Sequence, residues 1–266
     1  MPEIPVKLVQ FLIVDDHASL RRIVSQHLKS CGFERFAYAP DGRAALQLLN
    51  FTPSEGEAGA LVETIPSRLD IAGDPSPESI DFTVAHAYCV ITDFGMPKAN
   101  GLQLLKAIRC GETSIPGNTP VILLTGFSDD YVVSAALRLD VSAFILKPVS
   151  RNSLREKVQR VLDVGLSARP VASYAAVEIP DEAGEIIVAA PEAATPATAG
   201  EWQNDIRWLA LGSVPPGAVL ANNLESGRGT VLLRRGTVLS QTILQKLQDV
   251  QAMSGLGSKI PIRVAA

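Results

Sequence analysis

Apolar positions along residues 6–164 come in two alternating patterns. One is the short unbroken run: residues 10–14 (QFLIV), 34–39 (ERFAYA), 88–91 (YCVI), 120–125 (PVILLT) and 142–146 (SAFIL). Aliphatic runs of this length suit strands buried on both faces of a parallel sheet. The other pattern has helical spacing, with Leu20, Ile23, Val24 and Leu28 on one predicted helix and Leu102, Leu105, Ala107 and Ile108 on another. Residues 41–49, 129–139 and 150–162 read the same way, with Asp41, Ser128 or Asp129, and Ser150 as N-caps and Cys31-Gly32 as the stop of the first helix. Five strands, each followed by a helix, predict an α/β fold: a five-stranded parallel doubly wound sheet with right-handed crossovers.

The alternation lapses twice. Residues 52–86 turn to Ser, Glu, Gly, Pro and Asp, with seven acids against the single base Arg68, and read as a long insertion before the third strand. It joins a helix to the next strand, so its ends lie on the face away from the carboxyl ends of the strands. Residues 165–200 are rich in Ala, Pro, Glu and Thr and predict an extended linker, with one patch at 176–188 able to pair with a sheet. From 201 to 266 order returns as a small α+β module: Trp208, short Gly-punctuated strands over 229–239, and a helix at 240–253 capped by Ser240, with Ile243, Leu244, Leu247 and Val250 on its apolar face. A closing strand is expected at 260–264. The domains are therefore 6–164, 165–200 and 201–266.

Composition narrows the function. A formal net charge of -4 speaks against nucleic acid as the main partner. Cys31, Cys89 and Cys110 lie far apart, so neither a zinc site nor a disulfide framework is expected, and the thiols read as buried or half-buried in a reducing compartment. No stretch approaches a membrane span, and the expectation is a soluble cytoplasmic protein without membrane insertion.

Polar groups gather where the predicted strands end. Asp15 and Asp16 follow the first strand, Asp93 the third, Thr125 ends the fourth and Lys147 follows the fifth. In an open α/β sheet the crevice at those carboxyl ends is where ligands bind. The alternative for Asp93 is a loop carboxylate capping the helix that begins near Gly101. Three carboxylates within about 4 Å of one another would repel by roughly 4 kcal/mol per pair at an effective dielectric near 20, and so call for a cation. Hard oxygen donors suit Mg2+, which keeps positions for water or phosphate oxygens. With Lys147 to pair a negative group on Asp93 and Thr125 to hydrogen-bond a further oxygen, the set describes phosphoryl transfer to a carboxylate.

The ordered set Asp15-Asp16, Asp93-Phe94-Gly95-Met96-Pro97 with Asn100-Gly101, Thr125-Gly126 and Lys147-Pro148 resembles the receiver domain of two-component response regulators, the CheY fold. The resemblance implies that Asp93 is phosphorylated by a sensor histidine kinase or a histidine phosphotransfer protein. It also implies Mg2+ held by Asp16, Asp93 and the Gly95 carbonyl, with Asp15 acting through water, and a cis peptide at Lys147-Pro148. Phe144 falls at the family's aromatic switch position, turning inward when Thr125 moves toward the phosphoryl group. Such a regulator is no enzyme beyond its own phosphorylation and dephosphorylation, signals to a downstream protein, and can form a homodimer. Gly95 and Phe127 stand where some members carry polar side chains that assist water, which implies slow self-dephosphorylation.

Residues 216–221 (PGAVLA) and 235–239 (RGTVL) resemble the small β-rich segment preceding HD-GYP domains, without their catalytic motifs. The tail offers no helix-turn-helix, so DNA is not expected as a partner. The alternatives are a C-terminal module that binds a small anionic ligand, through Arg228, Arg234 and Arg235, or duplex DNA with a steep salt dependence, and a receiver fold used as an unphosphorylated scaffold. A haloacid-dehalogenase-type phosphatase would want a second Asp at position 95, where this chain has Gly. His17 follows the acid pair, where a part in metal or phosphoryl chemistry is open but not needed, whereas His27 and His86 are not spaced as metal ligands.

Overall fold

The computed structural model describes residues 9–50, 87–126, 130–164, 169–179, 206–254 and 256–263. The chain divides into two units: residues 1–126 with 139–177, and residues 127–138 with 178–266. The expected insertion at 52–86 and most of the 176–188 patch lie outside the described residues.

The first unit holds β1 (Val9–Val14), α1 (Ala18–Lys29), β2 (Arg35–Ala39), α2 (Gly42–Leu49), β3 (Ala87–Asp93), α3 (Gly101–Arg109), β4 (Val121–Thr125), β5 (Ala143–Leu146) and α5 (Arg151–Val164). Its five strands form one sheet in the order β2-β1-β3-β4-β5, and every pairing is parallel. Register puts Ile13, Ile91, Ile122 and Ala143 in one row across four strands. That row packs with Val24 and Leu28 of α1 and Leu154, Val158 and Val161 of α5 in one buried cluster. Because side chains alternate along a strand, the neighbouring row Thr92, Leu123 and Phe144 faces the other way. Asp41 caps α2, its Oδ1 accepting from the Ala44 amide at 2.8 Å. Cys89 is wholly buried and burial pushes its thiol up, as expected of an inert core cysteine.

The first unit also contains a short helix, α6 (Val171–Ala175), within the stretch whose composition suggested only a linker. Tyr174 is wholly buried there. Its hydroxyl donates to Asp140 Oδ2 at 2.9 Å and accepts from the Arg169 amide at 2.8 Å. Lys106 of α3 donates to the Val177 carbonyl at 2.9 Å. One aromatic and one valine, each in a prepared seat, order a segment that composition reads as coil.

The second unit joins α4 (Asp130–Arg138), which lies between β4 and β5 in the chain, to the C-terminal segment. That segment comprises β6 (Ile206–Ala210), a 3-10 turn, β7 (Ala218–Leu220), β8 (Leu224–Glu225), β9 (Val231–Leu233), β10 (Val238–Leu239), α7 (Gln241–Ser254) and β11 (Lys259–Arg263). A mixed-order sheet, β10-β7-β11-β6, is antiparallel throughout. The closing strand β11 therefore runs between β7 and β6. Leu220, Leu239, Ile260 and Ile262 of the sheet and Leu244, Leu247 and Val250 of α7 are all buried. The two strands around Gly236 do not pair with each other: β9 pairs with β8, and β10 with β7. Gly236, at φ 84°, takes the left-handed turn that separates them.

Candidate functional site

Each polar group named above stands at the carboxyl end of its strand. Asp15 follows β1 and is wholly buried. Its backbone amide donates to Ala39 O at 3.2 Å, and its own carbonyl accepts from the buried Arg21 guanidinium at 2.6 Å. Asp15 Oδ1 accepts the His17 amide at 2.8 Å. Asp15 Oδ2 receives Lys147 Nζ at 2.9 Å, and the same ammonium lies 2.9 Å from Asp93 Oδ2. Lys147 is aimed by its own amide, which donates to Thr125 O at 2.8 Å, and by a cis bond to Pro148. Thus β1, β3 and β5 deliver one cation and two anions to a single point, while Thr125 ends β4 with 6% of its surface exposed.

Asp93 is not the cap of α3. Asn100 fills that role, its Oδ1 accepting from the amides of Leu102 and Gln103 at 3.0 and 2.9 Å while Gln103 Oε1 accepts the Asn100 amide at 2.9 Å. This frees the Asp93 carboxylate to face Lys147. Gly101 is forced by space, because a Cβ there would stand against the Asp93 carbonyl oxygen. The loop between β3 and α3 is fixed from the other side too. The Gly42 amide donates to Ala99 O at 3.1 Å, and Lys98 Nζ bonds Asp41 Oδ2 at 2.8 Å.

The electrostatics follow from this crowding. Burial pushes the Asp93 carboxyl above its ordinary range and the Asp15 charge adds to it, against the opposing pull of Lys147 and the Phe94 amide. Burial alone would lower Lys147, but hydrogen bonds and charge from Asp93 and Asp15 outweigh it and hold the ammonium above the usual lysine range. The side chain of Asp16 is 34% exposed, and its Oδ1 meets His17 Nδ1 at 2.7 Å. Asp15, Asp16 and His17 bring ligand atoms within 4.8 Å of one another. Gly95 lies in the exposed loop just after Asp93, where a Cβ would meet nothing within 4 Å. Phe144 is buried, 2% exposed. Phe127 lies outside the described residues.

Residues 79–159 match the response regulator receiver domain family. The N-terminal part of the chain has the CheY-like receiver fold. Over 155 residues it is 26% identical to the chemotaxis protein CheY of Pseudomonas aeruginosa, an alignment covering 58% of this chain and 97% of that protein. Over 157 residues it is 29% identical to the chemotaxis protein CheY-3 of Vibrio cholerae, covering 59% of this chain and 94% of the relative. Among solved structures it is similar to the Vibrio cholerae chemotaxis protein CheY4, at 23% identity and a TM-score of 0.39, covering 58% of this chain and 98% of that one. Receiver domains of this kind serve two-component response regulation and are not in general catalytic enzymes.

One residue of the site escaped the sequence reading: Arg21, which sits on α1 and holds the backbone of Asp15. Asn100 was singled out with Gly101, but not as the cap that relieves Asp93. Arg21 lay six residues beyond an acid and at a helical core position, a placement that could have flagged it. No helix among the described residues is long and apolar enough to cross a membrane.

Proposed function

We propose that Asp93 of the receiver domain accepts a phosphoryl group from a sensor histidine kinase or a histidine phosphotransfer protein, and that the second unit carries the response by protein contact. The observation that supports this most is the single ammonium of Lys147 held at 2.9 Å from both Asp15 and Asp93 at the mouth of the sheet. In the transfer, an Asp93 carboxylate oxygen attacks phosphorus. The phosphorus–nitrogen bond of the donor histidine breaks, and its electron pair returns to the imidazole, which takes up a proton. Asp93 becomes an acyl phosphate with one oxygen toward Lys147 and another within reach of the Thr125 hydroxyl.

The donor set suits Mg2+: hard carboxylate oxygens, one of them half-open on Asp16, beside a site that must take phosphate oxygens. Asp16, Asp93 and the Gly95 carbonyl would hold it, with Asp15 behind, and it would supply charge neutralisation on the transferring oxygens. Lys147 offsets one carboxylate charge and fixes the Asp93 rotamer. Phe144, in register with Leu123 beside Thr125, is the aromatic through which a shift of Thr125 is read. Gly95 offers no polar side chain to orient a water, so the acyl phosphate decays slowly.

The test is labelling of the full chain by acetyl phosphate, followed on a phosphate-retarding gel. Labelling should require Mg2+, vanish with EDTA, and vanish in Asp93→Asn. A wild-type chain that stays unlabelled with donor and Mg2+ in excess overturns the proposal. A phosphoryl half-life of seconds overturns the slow decay.

A further inference from the structure

Within the second unit, β6 is an edge strand. It pairs with β11 on one side, and on the other side no strand lies beside it among the described residues. The direction of its backbone groups follows from β11. The Pro261 carbonyl accepts the Ala221 amide at 3.0 Å, so Pro261 turns its backbone toward β7. Successive residues of a strand turn opposite ways, so Ile260 and Ile262 face β6 and bond with their register partners Leu209 and Arg207. Ile206, Trp208 and Ala210 therefore aim their N–H and C=O groups outward, at the open edge. That edge carries no proline, glycine or bulge to blunt it. Its central side chain, Trp208, lies in register with Pro261 and is 57% exposed. On the opposite face, half-buried Leu209 continues the row of the buried Ile260.

We infer that the outer edge of β6 is a strand-docking surface, and that its occupant is the chain's own residues 185–189 (EIIVA), added antiparallel. The inference is independent of any phosphorylation of Asp93. Chemistry selects this segment, because Ile186-Ile187-Val188 is the single run of three β-branched residues between 165 and 205. Charge selects it too. Residues 178–188 hold four acids and no base, whereas residues 206–263 hold seven Lys and Arg against two acids. Arg207 and Lys259, both exposed, lie on β6 and beside it. Length permits the return, because 16 residues separate 189 from 206, more than a hairpin needs. A tether of that length holds the segment at an effective concentration of the order of mM, far above that of a second molecule in dilute solution. A second copy also fits worse, since β6 paired with itself about Trp208 sets two Arg207 side chains on one diagonal with no acid between them. With Ile187 opposite Trp208, Ile187 covers the indole on one face, and Ile186 and Val188 extend the row of Leu209 and Ile260 on the other. Glu185 then falls opposite Ala210, in the row of Lys259. The docked strand closes an edge that would otherwise template association.

The experiment is amide hydrogen exchange on the full chain, read residue by residue by NMR, with size-exclusion at two concentrations. In wild type the amides of Trp208 and Ala210 should exchange at least about tenfold more slowly than in Ile187→Pro, which removes the donor opposite Trp208. The Leu247 amide of α7 should be equal in both chains, which shows that the module stays folded. Glu185→Lys should lose most of the protection, and Glu185→Lys with Lys259→Glu should regain it. Wild-type amides of Trp208 and Ala210 that exchange at the rate of a free peptide overturn the inference. Protection that survives Ile187→Pro overturns it as well, and if that protection falls on dilution while the mass halves, the occupant is a second copy. A charge swap that regains nothing overturns the placing of 185–189 on this edge.

Discussion

Replacing Gly101 by Ala tests how α3 is fitted against β3, the strand that ends in Asp93. The added Cβ would overlap the Asp93 carbonyl oxygen and stand 3.1 Å from both the Asp93 carbonyl carbon and Leu123 Cδ1. The first two neighbours are backbone of β3 and the third is a wholly buried core side chain, so none can turn aside. The N-terminus of α3 must retreat by roughly 1 Å, since close-packed interiors have no slack of that size. The Gly101 amide, now 3.2 Å from Phe94 O, is then out of hydrogen-bonding range. Overpacking of this kind costs about 1–3 kcal/mol and the lost bond about 1, while replacing a helical glycine returns about 0.5. The net is a destabilisation of about 1.5–3.5 kcal/mol, or about 5–12 °C in the midpoint of the transition of the first unit. Thermal unfolding by circular dichroism on the full chain measures it. Gly95→Ala, where the Cβ meets nothing within 4 Å, is the control and should stay within about 0.5 kcal/mol of wild type. A Gly101→Ala midpoint equal to that of Gly95→Ala would refute the reasoning.

Three further outcomes follow from other contacts. Arg109 donates to four carbonyls, Leu139 at 3.2 Å, Gly117 and Thr119 at 2.8 Å and Asp140 at 3.0 Å, and burial pulls its guanidinium down to about 10, still charged at neutral pH. Arg109→Met should cost at least about 4 kcal/mol in urea unfolding, or abolish a cooperative transition, and a midpoint near wild type would refute it. Tyr174→Phe removes both hydroxyl bonds of the strap and should speed exchange of the Val177 amide about tenfold, equivalent to about 1.4 kcal/mol, leaving β1 amides unchanged. Burial opposes the charge on Asp41, but Lys98 and the amides of Ala44 and Arg43 outweigh it and hold the carboxyl below its ordinary range. Its stabilisation is therefore complete above the unfolded value of about 4 and is lost as pH falls through the depressed folded value. Asp41→Asn keeps the cap without the ion pair, so it should match wild type within about 0.5 kcal/mol at pH 7 and show a flatter acid limb between about pH 5 and 2. An unchanged acid limb would refute it.

The receiver part was legible because its signals are local. Each buried strand is an unbroken aliphatic run, and α3 begins and ends where its apolar spacing and Asn100-Gly101 say it should, at Gly101–Arg109. The gathering of Asp15, Asp93 and Lys147 was legible only through topology, since parallel strands joined by right-handed crossovers put all their carboxyl ends together. What escaped depends on distant partners. Arg21 and Arg109 are charged residues that the fold buries against carbonyls from other segments; the helical core position of Arg21 was a hint, but nothing near Arg109 announces its partners. The strap helix α6 is held by Asp140 and Lys106, tens of residues away, so a composition reading of 165–200 could not register it. The separation of β9 from β10 turns on one left-handed glycine, and the seat of Ser226 on α4 joins positions 96 residues apart.

The two ends of α4 are held differently. Beyond its C-terminus, Asp140 is fixed three ways. Its carbonyl takes the Arg109 guanidinium at 3.0 Å, its carboxylate takes Arg169 Nε at 2.7 Å and the Tyr174 hydroxyl at 2.9 Å, and its backbone sits in the left-handed region at φ 52°. A non-glycine residue keeps such a φ only where its surroundings over-determine it. In its first turn, Asp130 takes the Ser226 hydroxyl at 2.7 Å. The strap formed by Arg169 and Tyr174 is therefore more than an anchor for the linker: through Asp140 it ties residues 169–177 to the connection that leads into β5 and to Arg109 at the end of α3.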